Sequence, residues 1–430
     1  MKNLKDRAHR ILRKSEPYLK MDMVYATKGG FWTGLKFFVG TAISIVTMIA
    51  FGNLLPKETY GTYNYLLSLA ATLGFLTLSG AGTGVLRAVA RGNDSVLSYA
   101  VRLQLRYNTI AMATIGAVAI YYWIHGNIVF AISLGVLAIS FPVSEALHTF
   151  EPFFIGQKRF DLLTVIAILS SILSATATIT TIFFTKNVLM LVLVYAVMST
   201  VPNIFAYLYA KRFVSGDKPS KEAIDELRHT SFHLTGAGIL GYIAQYIDKI
   251  ILFQVTGPAI LAVYGFAIAG PDRLKGLVKS WISVALPKIS ERSIAEIRKV
   301  FYKRLLFSVM IGLSLAVVYI IFSPLLFTWL LPKYLDSIKF SQIYALSLII
   351  IPASIYIGNI FLGQNMLRAV YTQNTMMQIS RIVLFTFLGW KWQIWGIIVA
   401  SMASYLANLV YSIIVWEIES RRIMKINEAK

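Results

Sequence analysis

The amino-acid sequence predicts an all-α polytopic membrane protein of about 12 transmembrane helices, and three observations carry that prediction. The composition is 57% hydrophobic and 14% charged, with a mean hydropathy of +0.66. Soluble domains are roughly 45–50% apolar and about 25% charged. The apolar residues are gathered into runs long enough to cross a bilayer. The basic residues are sorted between alternate connections, as membrane topology demands.

Crossing the hydrocarbon takes roughly 20 mostly apolar residues. Runs of that kind fall at about 31–54, 64–86, 108–124, 128–152, 162–184, 188–210, 231–255, 259–285, 305–330, 340–362, 374–390 and 393–416. Ahead of the first, Met1 to Lys28 holds eight Lys/Arg and no apolar core, so the first run is expected to be a retained span and not a cleaved signal peptide. His125-Gly126-Asn127 and Thr256-Gly257-Pro258 read as turns between spans. The stretch from Pro287 to Arg304 sets Ile289, Ile294, Ile297 and Phe301 among charges, and is expected to form a short amphipathic helix on the membrane surface. The longest connections run to only about 20 residues, too short for a soluble catalytic domain.

The N-terminal tail, the even-numbered connections and the C-terminal tail together hold 30 Lys/Arg. The odd-numbered connections hold 5. By the positive-inside rule both termini are expected in the cytoplasm, in a multi-pass protein of the plasma membrane. The polar stretch around Gly216 divides the spans evenly. The expected organisation is a basic cytoplasmic segment 1–30, an N-lobe 31–215, a C-lobe 216–416 and a cytoplasmic tail 417–430. A faint echo between Pro56–Tyr63 and Pro258–Tyr264 fits duplicated halves, a transporter architecture.

The net charge of +21 is read as topology and attraction to anionic membrane lipid, not as a nucleic-acid footprint. The chain has no cysteine, which excludes disulfides and thiolate metal sites. Gly80-Ala81-Gly82-Thr83-Gly84 departs from G-x-G-x-x-G and follows a membrane helix, so close helix packing or a flexible bend explains it better than a phosphate loop. His229 and His233 lack the intervening Glu of a zinc-protease motif. No catalytic residue, metal or cofactor is expected, and no ATP-binding loop is present.

What remains is charge inside the spans. The cations are Lys36, Lys249, Arg273, Lys275, Lys279 and Arg381; the acids are Glu145, Asp248 and Asp272, with Glu151 near a span end. A charge at a helix centre costs about 2.5–3.5 kcal/mol on insertion scales, so these groups must snorkel, pair or face water. Asp272, Lys275 and Lys279 share one helix face just after Gly270-Pro271, a sequence expected to break the helix where it lines a cavity. Gln245 and Asp248, with Lys249 adjacent, suit either ion or proton coupling or a bond between helices. Lys36, Arg381 and Glu145, each in the cytoplasmic third of its span, either snorkel or pair. The excess of cations selects an anionic cargo. Arg273, Lys275, Lys279, Arg381 and Lys36 are the candidate substrate contacts. Asp248, Lys249, Asp272 and Glu145 are the candidates for ion coupling (H+ or Na+) or helix pairing.

Four stretches give the chain a resemblance to a known family: Leu55–Tyr63, Ser79–Arg87, Gln245–Leu252 with Tyr264, and Trp395–Ala400. Together they resemble the polysaccharide flippases of the multidrug/oligosaccharidyl-lipid/polysaccharide exporter superfamily. The resemblance implies a MATE-like fold of two six-helix lobes around a central cavity. It implies a lipid-linked anionic glycan as cargo, held at its phosphate by cavity cations. The protein is expected to work as a monomer. Two rivals are weighed against it. An ion-coupled multidrug exporter of the same fold would need cavity acids in excess. A membrane glycosyltransferase or polysaccharide polymerase would need a large outer loop bearing acids, where this chain has turns with only Glu58 and Asp336.

Overall fold

The structure, a computed structural model, describes residues 23–215, 218–283 and 286–428. The expected basic segment 1–30 lies outside the described residues as far as Asp22. Every regular element among the described residues is a helix. Among the described residues, eight helices are long and apolar enough to cross a membrane, and a ninth crossing is made if Lys57–Leu76 and Ala81–Ala90 are one broken span. Val96–Ile124 and Pro258–Ser283 are of similar length but fall outside that set, the latter because it carries Asp272, Arg273, Lys275 and Lys279. Leu367–Glu428 contains Gln393 at φ 53 and ψ −131, where two helices abut. A count of 12 requires adding these two helices and dividing the last one at Gln393.

The turns follow from local chemistry. Gly126 has φ 77, and the Asn127 side chain accepts from Phe130 N to cap Ile128–Leu147. Gly257, at φ 82, ends Lys221–Thr256, and Pro258 opens the next helix. The break in the second span is buried, and side chains satisfy its backbone. Asn108 Oδ1 accepts from Leu78 N at 3.0 Å, Gln104 Nε2 donates to Leu78 O at 3.2 Å, and Gly80 N donates to Thr235 Oγ1 at 2.9 Å. A Cβ at Gly80 would overlap the Ser231 carbonyl oxygen, so this glycine serves close packing.

The chain divides into two compact units, Met1–Phe51 with Leu73–Ile239, and Gly52–Thr72 with Leu240–Lys430. These differ from the lobes read from the sequence in the segments 52–72 and 216–239. The first unit packs Phe150, Phe153 and Phe154 against Val85, Val101 and Leu227. The second packs Ile297 and Phe301 against Tyr356, Ile360, Phe361 and Trp416. Large apolar side chains such as Phe38, Phe184, Ile321 and Phe387 are exposed, as lipid-facing positions require.

Two local expectations change. The stretch after the eighth span is Leu286–Ser290 followed by the first turns of Ile294–Leu330, so no separate surface helix forms over 287–304. The reason is that Ile289, Ile297 and Phe301 find a core to enter, and Ser293 with Glu296 makes a capping box. Pro258–Ser283 continues through Pro271 as one helix, with Gly270 packed close to Tyr319.

Candidate functional site

Four intramembrane charges of the second unit, Asp248, Asp272, Lys275 and Arg381, gather around three tyrosines, Tyr264, Tyr344 and Tyr405. Lys275 Nζ lies 2.9 Å from Asp272 Oδ1, one helical turn earlier. Tyr344, from Ser337–Ala345, donates its hydroxyl to the same Oδ1 at 3.0 Å. The Lys275 ammonium stands 3.8 Å from the Tyr344 ring centroid and 4.9 Å from that of Tyr405. It also donates to the Tyr405 hydroxyl at 3.5 Å. Two aromatic faces and a carboxylate therefore enclose this cation.

A second pair adjoins the first. Tyr264 donates to Asp248 Oδ2 at 2.6 Å, and both residues are buried. Asp248 Oδ1 is buried with no hydrogen-bond partner. Arg381 lies 5.2 Å from the Phe385 ring centroid and interacts electrostatically with Asp248, Tyr264, Tyr344 and Tyr405. Tyr344 and Tyr264 both feel Asp272, which joins the two pairs into one cluster. Lys249 Nζ is 5.7 Å from the Tyr246 ring centroid. Arg273 and Lys279 are exposed on the helix that carries Lys275. The span charges of this unit are five cations, Lys249, Arg273, Lys275, Lys279 and Arg381, against two acids, Asp248 and Asp272.

Lys36 and Glu145 belong to the first unit. Lys36 Nζ is 2.6 Å from Glu151 Oε1, and His148 Nε2 is 3.2 Å from Glu151 Oε2. Glu145 acts electrostatically on His148. Four charged or titratable groups thus gather around the end of the fourth span. His229 and His233 stack with ring centroids 6.1 Å apart.

The sequence singled out each of the cations and, among their tyrosine neighbours, Tyr246 and Tyr264, but not Tyr344 or Tyr405. Tyr344 and Tyr405 sit in apolar spans with no motif around them. The available signal is physical: a tyrosine far from a span end needs a partner for its hydroxyl. The Lys36–Glu151 pair joins residues 115 apart in sequence, and no local pattern announces it.

The comparisons with known proteins agree with this architecture. A family model described as polysaccharide biosynthesis protein matches residues 26–293. An inward-facing multidrug resistance MATE family transporter of the MOP superfamily superposes with a TM-score of 0.62 at 16% identity, over 89% of this chain and 96% of that one. The lipid II flippase MurJ in an inward closed conformation gives 0.60 at 12% identity, over 92% of this chain and 89% of that one. A MOP superfamily transporter from Pyrococcus furiosus gives 0.51 at 15% identity, over 91% and 96%. A comparison with curated protein sequences gives no match. The expected all-α, MATE-like membrane fold is met, and the chain belongs to the polysaccharide biosynthesis protein family.

Proposed function

We propose that the chain is a flippase that moves an anionic, polyprenyl-phosphate-linked oligosaccharide across the cytoplasmic membrane. Two six-span lobes, 31–215 and 216–416, alternate access to a central path, and the protein works as a monomer with both termini in the cytoplasm. Arg273, Lys275 and Arg381 recognise the phosphate, and Lys279 draws it toward the basic side. Asp248 and Lys249 are the candidates for coupling to H+ or Na+. Lys36, held on Glu151, fits helix pairing with Glu145 and His148 better than substrate contact.

The observation that carries this reading is the cation excess of the second unit, five against two, with Arg273 exposed within a span. Such a group is tolerated in a membrane when it meets water or an anion. Membership of a polysaccharide biosynthesis family supports a glycan cargo, and the structural likeness to a lipid II flippase supports a lipid-linked one. The P. furiosus transporter is described as having a reverse polarity of binding pocket that suggests a different function. The balance of span charges, five cations against two acids in the second unit, is likewise the feature that separates the present reading from a multidrug exporter.

The test is ligand-induced stabilisation of the purified protein. A polyprenyl-phosphate sugar should raise the thermal unfolding midpoint, and the cationic dye ethidium should leave it unchanged. Stabilisation by ethidium alone would favour the exporter and contradict the proposal.

A further inference from the structure

We propose that Asp272 is an internal stand-in for the substrate's phosphate: it fills the anion seat made by Lys275 and Tyr344 and must swing out for a lipid-linked head group to bind. This inference rests on the reading that the cargo is an anionic lipid-linked glycan, and it assigns that site a built-in competitor.

The seat is defined by two donors aimed at one oxygen. Lys275 Nζ at 2.9 Å and the Tyr344 hydroxyl at 3.0 Å both meet Asp272 Oδ1. The Lys275 side chain is only 12% exposed, enclosed by the Tyr344 and Tyr405 rings. A cation so far removed from water needs an anion beside it at all times. The aromatic faces supply attraction but no charge. Asp272 differs from its partner in being 46% exposed. It is the more exposed member of the pair, and a change of its side-chain rotamer would vacate the seat without moving the helix.

A phosphate oxygen accepts the same two donors with the short geometry of charge-assisted hydrogen bonds. A neutral polyprenol or free sugar offers no charge to replace the carboxylate, so the exchange admits anions and refuses neutral lipids. The competitor also limits retention. When the head group leaves, Asp272 returns and Lys275 is never stranded without a counter-charge. A seat of permanently free cations would hold a phosphate tightly in both directions, which a transporter must avoid.

The experiment is equilibrium binding of radiolabelled decaprenyl monophosphate to the full-length protein in phosphatidylcholine nanodiscs, with decaprenol as the uncharged control and empty nanodiscs as background. Asp272→Asn keeps the shape and removes the competing charge, and should tighten binding of the phosphate about tenfold without changing that of decaprenol. Asp272→Glu keeps the charge and should bind as the wild type does. Lys275→Ala should weaken binding about tenfold or more in both the wild-type and the Asp272→Asn background. Where the Asn variant does not assemble, Asp272→Ser carries the same expectation. If Lys275→Ala weakens binding but Asp272→Asn leaves it unchanged or weaker, the stand-in role is overturned while the anionic cargo survives. If the wild type does not distinguish decaprenyl monophosphate from decaprenol, the cargo reading falls and the stand-in falls with it.

Discussion

Asp248 is the most demanding residue of the second unit, because it is a buried carboxylate with one oxygen bonded by Tyr264 and the other with no hydrogen-bond partner. Electrostatic attraction from Arg381 offsets part of its desolvation. Tyr264→Phe removes the one hydroxyl that reaches it and should destabilise the protein by about 1–3 kcal/mol. A lowered midpoint of chaotrope unfolding in detergent would show this, and an unchanged midpoint would mean that Asp248 is solvated by other means. At this scale the sequence disclosed the chemistry but not the partners. Lys275 and Arg381 were legible as intramembrane cations because hydropathy makes them conspicuous. Their neighbours Tyr344 and Tyr405 were not, since aromatic residues are ordinary in spans and the contact between Lys275 and Tyr405 closes over 130 residues.

Helices and turns were more legible than side-chain contacts, because turn chemistry is local. Gly126-Asn127 and Gly257-Pro258 were read as turns, and both carry the positive φ and the cap or proline that such turns use. The sequence was less informative about what docks on an element's far end. Trp416 looks like an interfacial residue at the end of a span, yet it is fully buried and stacks on Phe301 with centroids 5.0 Å apart. The helix runs on past it, and Glu417 bonds Arg298 at 2.9 Å and the Tyr302 hydroxyl at 2.9 Å. The start of the broken second span, Lys57–Leu73, is another such case. A Cβ at Gly61 would overlap the Pro258 carbonyl oxygen, whereas one at Gly135 would meet nothing within 4 Å. Gly61→Ala should therefore cost about 1–3 kcal/mol, and Gly135→Ala should be close to neutral. Thermal unfolding of the two variants side by side checks this, and equal midpoints would contradict the contact.

For the whole molecule, the fold was legible for the reason that makes membrane proteins readable at all: hydrocarbon tolerates only backbone that satisfies itself, so apolar runs of sufficient length become helices. The number of crossings is harder to read, since polar residues in Val96–Ile124 and the charges Asp272, Arg273, Lys275 and Lys279 in Pro258–Ser283 lower their hydropathy. The orientation is open to a direct test, because the chain has no cysteine of its own. Single replacements Asn93→Cys and Lys186→Cys lie on connections of opposite parity. A membrane-impermeant maleimide applied to right-side-out vesicles should label position 186 and spare position 93. Labelling of both or neither would contradict the assigned topology.

Translocation of a labelled polyprenyl-phosphate sugar in proteoliposomes decides whether intramembrane positive charge carries an anionic lipid head group across the bilayer. Wild-type protein should move the label to the opposite leaflet. The Arg273→Ala/Lys275→Ala double variant, reconstituted at equal density, should do so at least about a hundredfold more slowly, since two charge-assisted contacts of roughly 1.5–3 kcal/mol each are lost. Transport by the double variant at the wild-type rate would contradict the account.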